Sequence, residues 1–155
     1  MARRNHFNKE DIKNIQKFID IIDSDIKIYK GSCYSVDIYE EQIFLGNKRF
    51  DRVSQTFMEH WEEKIVCPMN WCVLSILHEV GHIMTDTEEV QDNRTQLDNI
   101  YSFMYQENIL TEQEYFHSYF NIPAEKMATL WGIDYYTRNQ KQCNDLAAVL
   151  GFIIK

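Results

Sequence analysis

The sequence lacks the patterns that mark membrane-spanning, exported and disulfide-bonded proteins. No stretch approaches the ~20 consecutive apolar residues of a transmembrane helix, and no apolar run follows the charged N-terminus as it would in a signal peptide. The four cysteines form no CxxC pair, which excludes a zinc ribbon and a thioredoxin-like motif. We therefore expect a cytoplasmic protein that does not bind membranes and whose cysteines are free thiols.

Basic residues are also scarce. The chain has 16 lysines and arginines against 24 aspartates and glutamates, which gives a formal net charge of -8. Such a surface repels the phosphate backbone, so nucleic acid is not an expected partner. A protein or peptide is expected instead, and a basic one suits this charge best.

No internal repeat, low-complexity tract or linker interrupts the sequence. Its 155 residues, of which 45% are hydrophobic, suit one domain with a sizeable core. We predict a single domain over residues 1–155.

Hydrophobic periodicity predicts a mostly helical chain with a small sheet near its N-terminus. An amphipathic helix is expected at residues 8–23. Short segments rich in Ile, Tyr, Phe and Val predict strands at 26–29, 34–39, 42–45 and 48–53. Further helices are predicted at 54–64, 69–84, 95–108, 111–120, 123–138 and 143–152, and Pro68 is expected to open the second of these. The element order predicts an α+β fold.

Two histidines and a glutamate interrupt the strongly apolar helix predicted at 69–84. They form an H-E-x-x-H motif of His78, Glu79 and His82, which a random arrangement of the same residues would contain about once in a hundred chains. Histidines four apart share one helix face, so both can reach one metal ion. Glu79, rotated by about 100° from His78, would instead hold and deprotonate a water beside the metal. A buried carboxylate without a partner or metal is strongly destabilising, so the motif favours a metal site over two core histidines.

A third ligand must come from outside the motif, because catalytic zinc usually has three protein ligands and one open position. The longer metzincin motif is excluded, since Thr85 and Glu88 stand where it requires glycine and histidine. No Gly-Thr-x-x-Asp-like segment follows the motif, which argues against an aspartate ligand. A glutamate on a later helix is the remaining source.

Glu125 is the favoured third ligand. The face of its helix continues through the small residues Ala128, Thr129 and Gly132, which would let this helix lie close against the motif helix. Gly81, inside the motif, would allow the same approach from the other side. The competing interpretation is that Glu125 only stabilises the start of its own helix through the helix dipole.

Other residues remain as alternatives with less support. Candidate ligands in the polar loop predicted at 86–94 and further along the chain are Asp86, Glu88, Glu89, His117 and Asp134. Amide hydrolysis also needs a donor that stabilises the oxyanion. The candidates for that donor are Tyr135, Tyr136 and His117.

Two segments together resemble the gluzincins, and in particular the small ImmA/IrrE-like metallopeptidases. One is the HExGH motif that starts at His78, and the other is an ExxA segment, Glu125-Lys126-Met127-Ala128. The resemblance extends over residues 69–136, less than half of the chain. Known members cleave repressor-like regulatory proteins and are common on phages and mobile elements.

The resemblance implies a fold, a metal and a set of roles. The fold would be a minimal zincin-like fold, mostly helical, with a small, mainly antiparallel sheet packed beside the HExxH helix. Zn2+ would be held by His78, His82 and Glu125, and Glu79 would be the catalytic acid and base. The chain departs from the larger thermolysin-like enzymes, which have an aspartate at the position of Thr129.

The sequence therefore predicts a zinc metallopeptidase that hydrolyses peptide bonds of a protein substrate, such as a regulatory protein, with the attacking water activated by Glu79. An extended peptide would add to an exposed edge of the sheet. The alternative is a catalytically silent, zincin-like metal-binding module that recruits a protein partner. A catalytic site keeps an open position on its metal, whereas a structural site is closed by protein ligands.

Overall fold

The first helix is capped as its sequence predicts. A computed structural model describes residues 6–49, 51–86 and 94–152, except for the side chains of residues 94 and 95. Helix α1, Lys9–Ile22, begins at a capping box in which the Asn8 side chain accepts a hydrogen bond from the Asp11 backbone and the Asp11 side chain accepts one from the Asn8 backbone. The helix buries Ile15, Phe18 and Ile19.

Three short strands form the sheet: β1, Lys27–Lys30, β2, Ser35–Asp37, and β3, Gln42–Leu45. Their order is β1-β3-β2, with β3 parallel to β1 and antiparallel to β2. The sheet is therefore mixed rather than mainly antiparallel. The chain reverses between β1 and β2 and again between β2 and β3, so β3 has the same direction as β1. Because β3 lies between the other two strands, it pairs with β1 in parallel.

The predicted fourth strand at 48–53 is wrong for the residues that are described. Asp51 lies inside this segment and is the N-cap of helix α2, Arg52–His60. Its side chain accepts a hydrogen bond from the Val53 backbone. An N-cap carboxylate satisfies a backbone donor at the start of a helix, which outweighs the strand preference of the neighbouring apolar residues. A short 3-10 helix, Glu62–Lys64, follows. Phe50 lies outside the described residues.

Helix α3, Trp71–Met84, carries the H-E-x-x-H motif through the centre of the fold. Its N-cap is Asn70, whose side chain accepts hydrogen bonds from the backbones of Cys72 and Val73. The helix therefore starts later than predicted, and Pro68 precedes it. Its residues from Cys72 to Leu77 are buried, which confirms the expectation of a central helix.

Four more helices complete the described chain. They are α4, Arg94–Gln106, α5, Glu112–Phe120, α6, Pro123–Arg138, and α7, Gln140–Val149. Residues 87–93 of the predicted polar loop lie outside the described residues. Within the part of the chain that is described, no helix is both long and apolar enough to cross a membrane. The predicted α+β class is confirmed.

Helix α3 contributes to two hydrophobic clusters. The larger one joins α1, the sheet and α7 around the α3 residues Val73, Ile76, Leu77 and Val80. The smaller one consists of Phe57, Trp61, Leu74, Phe120 and Ile133, and it joins α2, α5 and α6 to the same helix. The sheet packs beside the motif helix as expected, and both clusters fix the position of α3.

Candidate metal centre

Helices α3 and α6 approach each other closely where both carry glycine. A Cβ atom on Gly81 would lie 2.3 Å from the carbonyl oxygen of Ala128, and one on Gly132 would lie 3.3 Å from the backbone nitrogen of His78. The first distance is far below any van der Waals contact, so Gly81 is required for this packing. The predicted close approach of the Glu125 helix to the motif helix is confirmed.

This contact brings the three predicted ligands together. The Oε2 atom of Glu125 lies 2.8 Å from Nε2 of His78 and 2.9 Å from Nε2 of His82, and the two Nε2 atoms are 3.1 Å apart. Glu125 and His82 are each 2% exposed, and His78 is partly buried. Across the described residues, this is the only group of three or more potential metal ligands from His, Cys, Asp and Glu.

Thr129 orients the ring of His78. Its hydroxyl donates a hydrogen bond to the carbonyl oxygen of Glu125 at 2.8 Å and lies 3.0 Å from Nδ1 of His78. Because the hydroxyl hydrogen is used on the carbonyl, its oxygen can accept from an Nδ1–H group. That tautomer leaves the lone pair of Nε2 pointing toward Glu125, as a metal ligand requires.

The cluster needs a positive charge at its centre. Two imidazole nitrogens and a carboxylate oxygen all carry lone pairs, and at these distances they repel one another unless a proton or a metal ion lies between them. Where protons fill this role, the Nε2 atoms of His78 and His82 carry them; burial alone would raise the pKa of Glu125, but hydrogen bonds from these protonated nitrogens outweigh it and hold that pKa well below its usual value. The carboxylate therefore stays ionised, and this nitrogen and oxygen donor set suits zinc.

Packing holds the second histidine. In the described part of the chain, Nδ1 of His82 is buried without a hydrogen-bond partner. Its ring meets that of His78 edge to face, with 4.7 Å between the ring centroids. Phe57 contacts the ring of His78 edge to face as well, with ring centroids 5.3 Å apart. The ring positions therefore depend on the tight fit of α3 against its neighbours.

Glu79 lines an open cleft instead of joining the cluster of ligands. The cleft has a volume of about 380 Å³, and its lining includes Glu79 and His78. Helices α2, α3, α4 and α5 and the segment just before β2 all contribute to its lining. Glu79 itself is 7% exposed. A carboxylate in this position is beside the predicted metal and is accessible from the cleft, as its predicted role requires.

Tyr119 is a site residue that the sequence analysis missed. Its hydroxyl donates a hydrogen bond to Oε1 of Glu125 at 3.0 Å, and its side chain also lines the cleft. The chain turns sharply between α5 and α6, which brings Tyr119 back over Glu125. The only sequence signal was an aromatic-rich helix that ends just before Pro123, and this pattern is equally typical of core packing.

The tyrosines proposed as oxyanion donors are engaged elsewhere. The Tyr136 hydroxyl donates to Asn144 and accepts from the backbone of Asn70, which lies about 12 Å before His78 along α3. Tyr135 donates to Gln142. Neither hydroxyl is directed to the ligand cluster.

The alternative ligands are not brought to this cluster. His117 is exposed and meets the ring of His60 edge to face, Asp134 pairs with Arg138, and Asp86 is exposed. Glu88 and Glu89 lie outside the described residues.

The chain matches no protein-family model, no curated protein and no solved structure. The resemblance to small zincin-like metallopeptidases therefore stays a prediction that depends on the motif and on the geometry of this centre.

Proposed function

We propose that this protein is a zinc metallopeptidase that cleaves peptide bonds in a protein substrate. The observation that carries the proposal is the convergence of His78, His82 and Glu125 in one buried cluster, with ligand atoms within 4.8 Å of one another, directly beside a cleft that exposes Glu79. A structural metal site would need the three ligands but not the cleft.

Each residue near the cluster has a distinct role in this proposal. His78, His82 and Glu125 would hold zinc, which when bound acts as a Lewis acid that activates water and polarises a carbonyl group. Glu79 would take a proton from the attacking water and pass it to the leaving amine. Tyr119 would fix the carboxylate of Glu125 through its hydrogen bond.

The sheet edge offers a path for the substrate. Strand β2 is an outer strand of the sheet, and Cys33 and Tyr34, just before it, line the cleft. An extended peptide that paired with β2 would therefore run into the cleft and past Glu79. The four free thiols suit a reducing compartment, so a regulatory protein in the cytoplasm is the proposed substrate.

The open cleft favours this function over a catalytically silent metal-binding module. A silent module has no need for a carboxylate next to the metal and accessible from a cavity of this size. In the proposed enzyme Glu79 is the general base, so a variant that lacks its carboxylate should lose peptidase activity and keep its metal. A silent module would show no activity to lose.

The first experiment measures metal content and peptidase activity together. Elemental mass spectrometry on protein purified without added zinc should find about one zinc per chain in the wild type and in Glu79→Gln, and much less in His82→Ala and Glu125→Gln. His117→Ala, which removes an exposed histidine, is the matched control and should retain zinc. Zinc-loaded wild type should generate new N-termini in a denatured protein mixture.

The Glu79→Gln variant decides between the two functions. General-base catalysis contributes roughly 10²–10⁴-fold, so we expect the variant to lose at least about a hundredfold of the activity while it keeps its zinc. Zinc binding without any cleavage by the wild type would support the silent module. A chain that binds no zinc even after reconstitution would exclude both.

A further inference from the structure

The cleft beside Glu79 carries charge of one sign. Its carboxylates are those of Asp51, Glu79 and Asp98, and no lysine or arginine is found among the described residues that line it. Aromatic side chains form much of the remaining wall: Tyr34, Phe57, Tyr115, Phe116, Tyr119 and Phe120. A cleft with walls of low dielectric constant and carboxylates of one sign concentrates the electrostatic field, so it favours a cationic ligand.

Asp51 is held near the proposed reaction centre. Its carboxylate accepts hydrogen bonds from the backbone of Val53 at 3.2 Å and from the hydroxyl of Ser54 at 2.9 Å. The Ser54 hydroxyl lies 2.8 Å from that of Ser75 on α3. Ser75 precedes Glu79 by four residues, or about 6 Å along the helix axis. The Asp51 carboxylate is thus connected, through Ser54, to a residue that stands roughly one helical turn from Glu79.

The nearest arginine in the chain does not neutralise Asp51. Arg52 is exposed and forms its ion pair with Glu112 on α5. It does not line the cleft, although its neighbours Asp51 and Val53 do. The negative charge at this end of the cleft therefore faces the space that a substrate would fill.

Helices α4 and α5 add a further carboxylate and aromatic rings to the lining of the cleft. Asp98 and Ser102 stand one turn apart on α4, and Tyr115 and Tyr119 stand one turn apart on α5. Lysine and arginine side chains have long apolar stems that pack along such rings, and their charged ends are attracted to aromatic faces. Acidic side chains have neither feature and would be repelled by both carboxylates.

We propose that this cleft selects extended peptide segments in which a lysine or arginine stands within about two residues of the bond presented to Glu79, next to an apolar residue. The spacing follows because extended residues advance about 3.3 Å each, so two of them span the roughly 6 Å along α3 between Glu79 and Ser75, which is linked to Asp51 through Ser54. The inference rests on the proposed peptidase function and adds its substrate class. Acidic segments are excluded by the same charges.

The test separates binding from cleavage. Zinc-loaded Glu79→Gln protein is titrated into short, labelled alanine-based peptides that carry one phenylalanine and, next to it, arginine, glutamine or glutamate. Fluorescence anisotropy should show the arginine peptide binding about tenfold more tightly than the glutamate peptide. The difference should shrink as salt is added, since salt screens the attraction.

Substitutions in the cleft test whether its carboxylates cause the preference for the arginine peptide. In the Glu79→Gln protein, the further substitution Asp98→Asn should reduce the preference for the arginine peptide about threefold. Asp98→Asn and Asp51→Asn together should abolish most of that preference. Asp20→Asn, which removes the same charge from an exposed position on α1, is the matched control and should leave the preference unchanged. Equal affinity for the arginine and glutamate peptides, or a preference that survives the double substitution, would overturn the inference.

Failure of the proposed function gives a different result. If the arginine peptide binds preferentially but zinc-loaded wild type cleaves none of the peptides, the peptidase proposal fails and the selectivity of the cleft stands. If the wild type cleaves all three peptides with equal kcat/KM, the peptidase proposal stands and the selectivity is wrong.

Discussion

Helix α3 has two very different surroundings. Toward α6 it is in contact with another backbone, because Gly81 faces Ala128 with no room for a side chain and Gly132 faces Leu77 and His78 at close range. Toward α2, α4 and α5 it opens onto a cleft of about 380 Å³ where Ser75 and Glu79 are accessible. One helix therefore has a closed side that fixes the proposed ligands and an open side where the proposed substrate would enter.

The difference explains how the three proposed ligands, from two helices that are far apart in the chain, reach one point. Packing on the closed side leaves Glu125 no alternative position, since its helix is held by backbone contact on α3. The open side carries the residues that would touch a substrate. In the proposed enzyme, the rigid geometry of the ligands and the access of a substrate would thus come from separate surfaces of the same helix.

The largest predicted effect comes from breaking the closed side. In Gly81→Ala the new methyl group would meet the Ala128 carbonyl at 2.3 Å, so the two helices must separate. We expect the free energy of unfolding to fall by about 3 kcal/mol and zinc affinity to fall with it, as measured by urea denaturation and chelator competition.

Gly132→Ala is the comparison for that variant. Its nearest contacts are at 3.3 Å, and alanine favours the helix by roughly 1 kcal/mol, so stability should change by no more than about 1 kcal/mol. Equal stability losses in the two variants would contradict a specific contact at Gly81.

An intermediate effect is expected from Tyr119, which connects the two sides. Tyr119→Phe removes the hydrogen bond to Oε1 of Glu125. Since hydrogen bonds to charged groups contribute about 1.5–3 kcal/mol and Tyr119 is only partly buried, zinc should bind roughly tenfold more weakly. The measurement is chelator competition.

The control for this variant is Tyr115→Phe, one turn earlier on α5, which removes a hydroxyl from the same cleft. It should leave zinc affinity near the wild-type value. If both variants bind zinc as tightly as the wild type, Tyr119 has no part in positioning Glu125.

The smallest effect concerns pH and tests how well the larger hydrophobic cluster, which contains Cys143, excludes water. Burial raises the pKa of the Cys143 thiol from 9.0 to about 12. As the pH rises above 9, thiols in the unfolded chain lose protons before this one does, so the free energy of unfolding falls with rising pH. The loss from one such thiol approaches about 1.4 kcal/mol per pH unit.

In Cys143→Ala, the free energy of unfolding should therefore fall less steeply as the pH rises above 9. The substitution also leaves a small cavity, which lowers stability equally at every pH and does not change the slope. Urea denaturation at pH 8 and pH 10 measures the change. Cys33→Ala, which replaces an exposed thiol, should leave the slope as it is in the wild type. A slope that is unaltered in Cys143→Ala would mean that water reaches this thiol.

The closed side could be predicted from the sequence and the open side could not. Histidines four apart and small residues spaced along one helix face are local patterns with direct geometric consequences, so the meeting of His78, His82 and Glu125 followed from them. The cleft combines α2, α3, α4 and α5 with the segment before β2. Its shape depends on how these elements pack, and no local pattern describes that.

The errors have the same cause. The parallel pairing of β1 with β3 follows from the insertion of β3 between its neighbours, which strand propensity does not contain. A strand was predicted at 48–53, but a helix begins at Arg52 because the Asp51 side chain accepts a hydrogen bond from the Val53 backbone. Tyr119 was missed because a turn, and not a helical period, brings it to Glu125.

Because the proposed ligands come from two helices, metal occupancy would be linked to the lifetime of the protein. His78 and Glu125 meet only when α3 and α6 are packed, so an ion that they hold would bind the folded chain and not the unfolded one. At saturation, each tenfold rise in the free ion would add about 1.4 kcal/mol to the free energy of unfolding. A cell poor in that metal would then hold less of this protein, because unfolded chains are degraded.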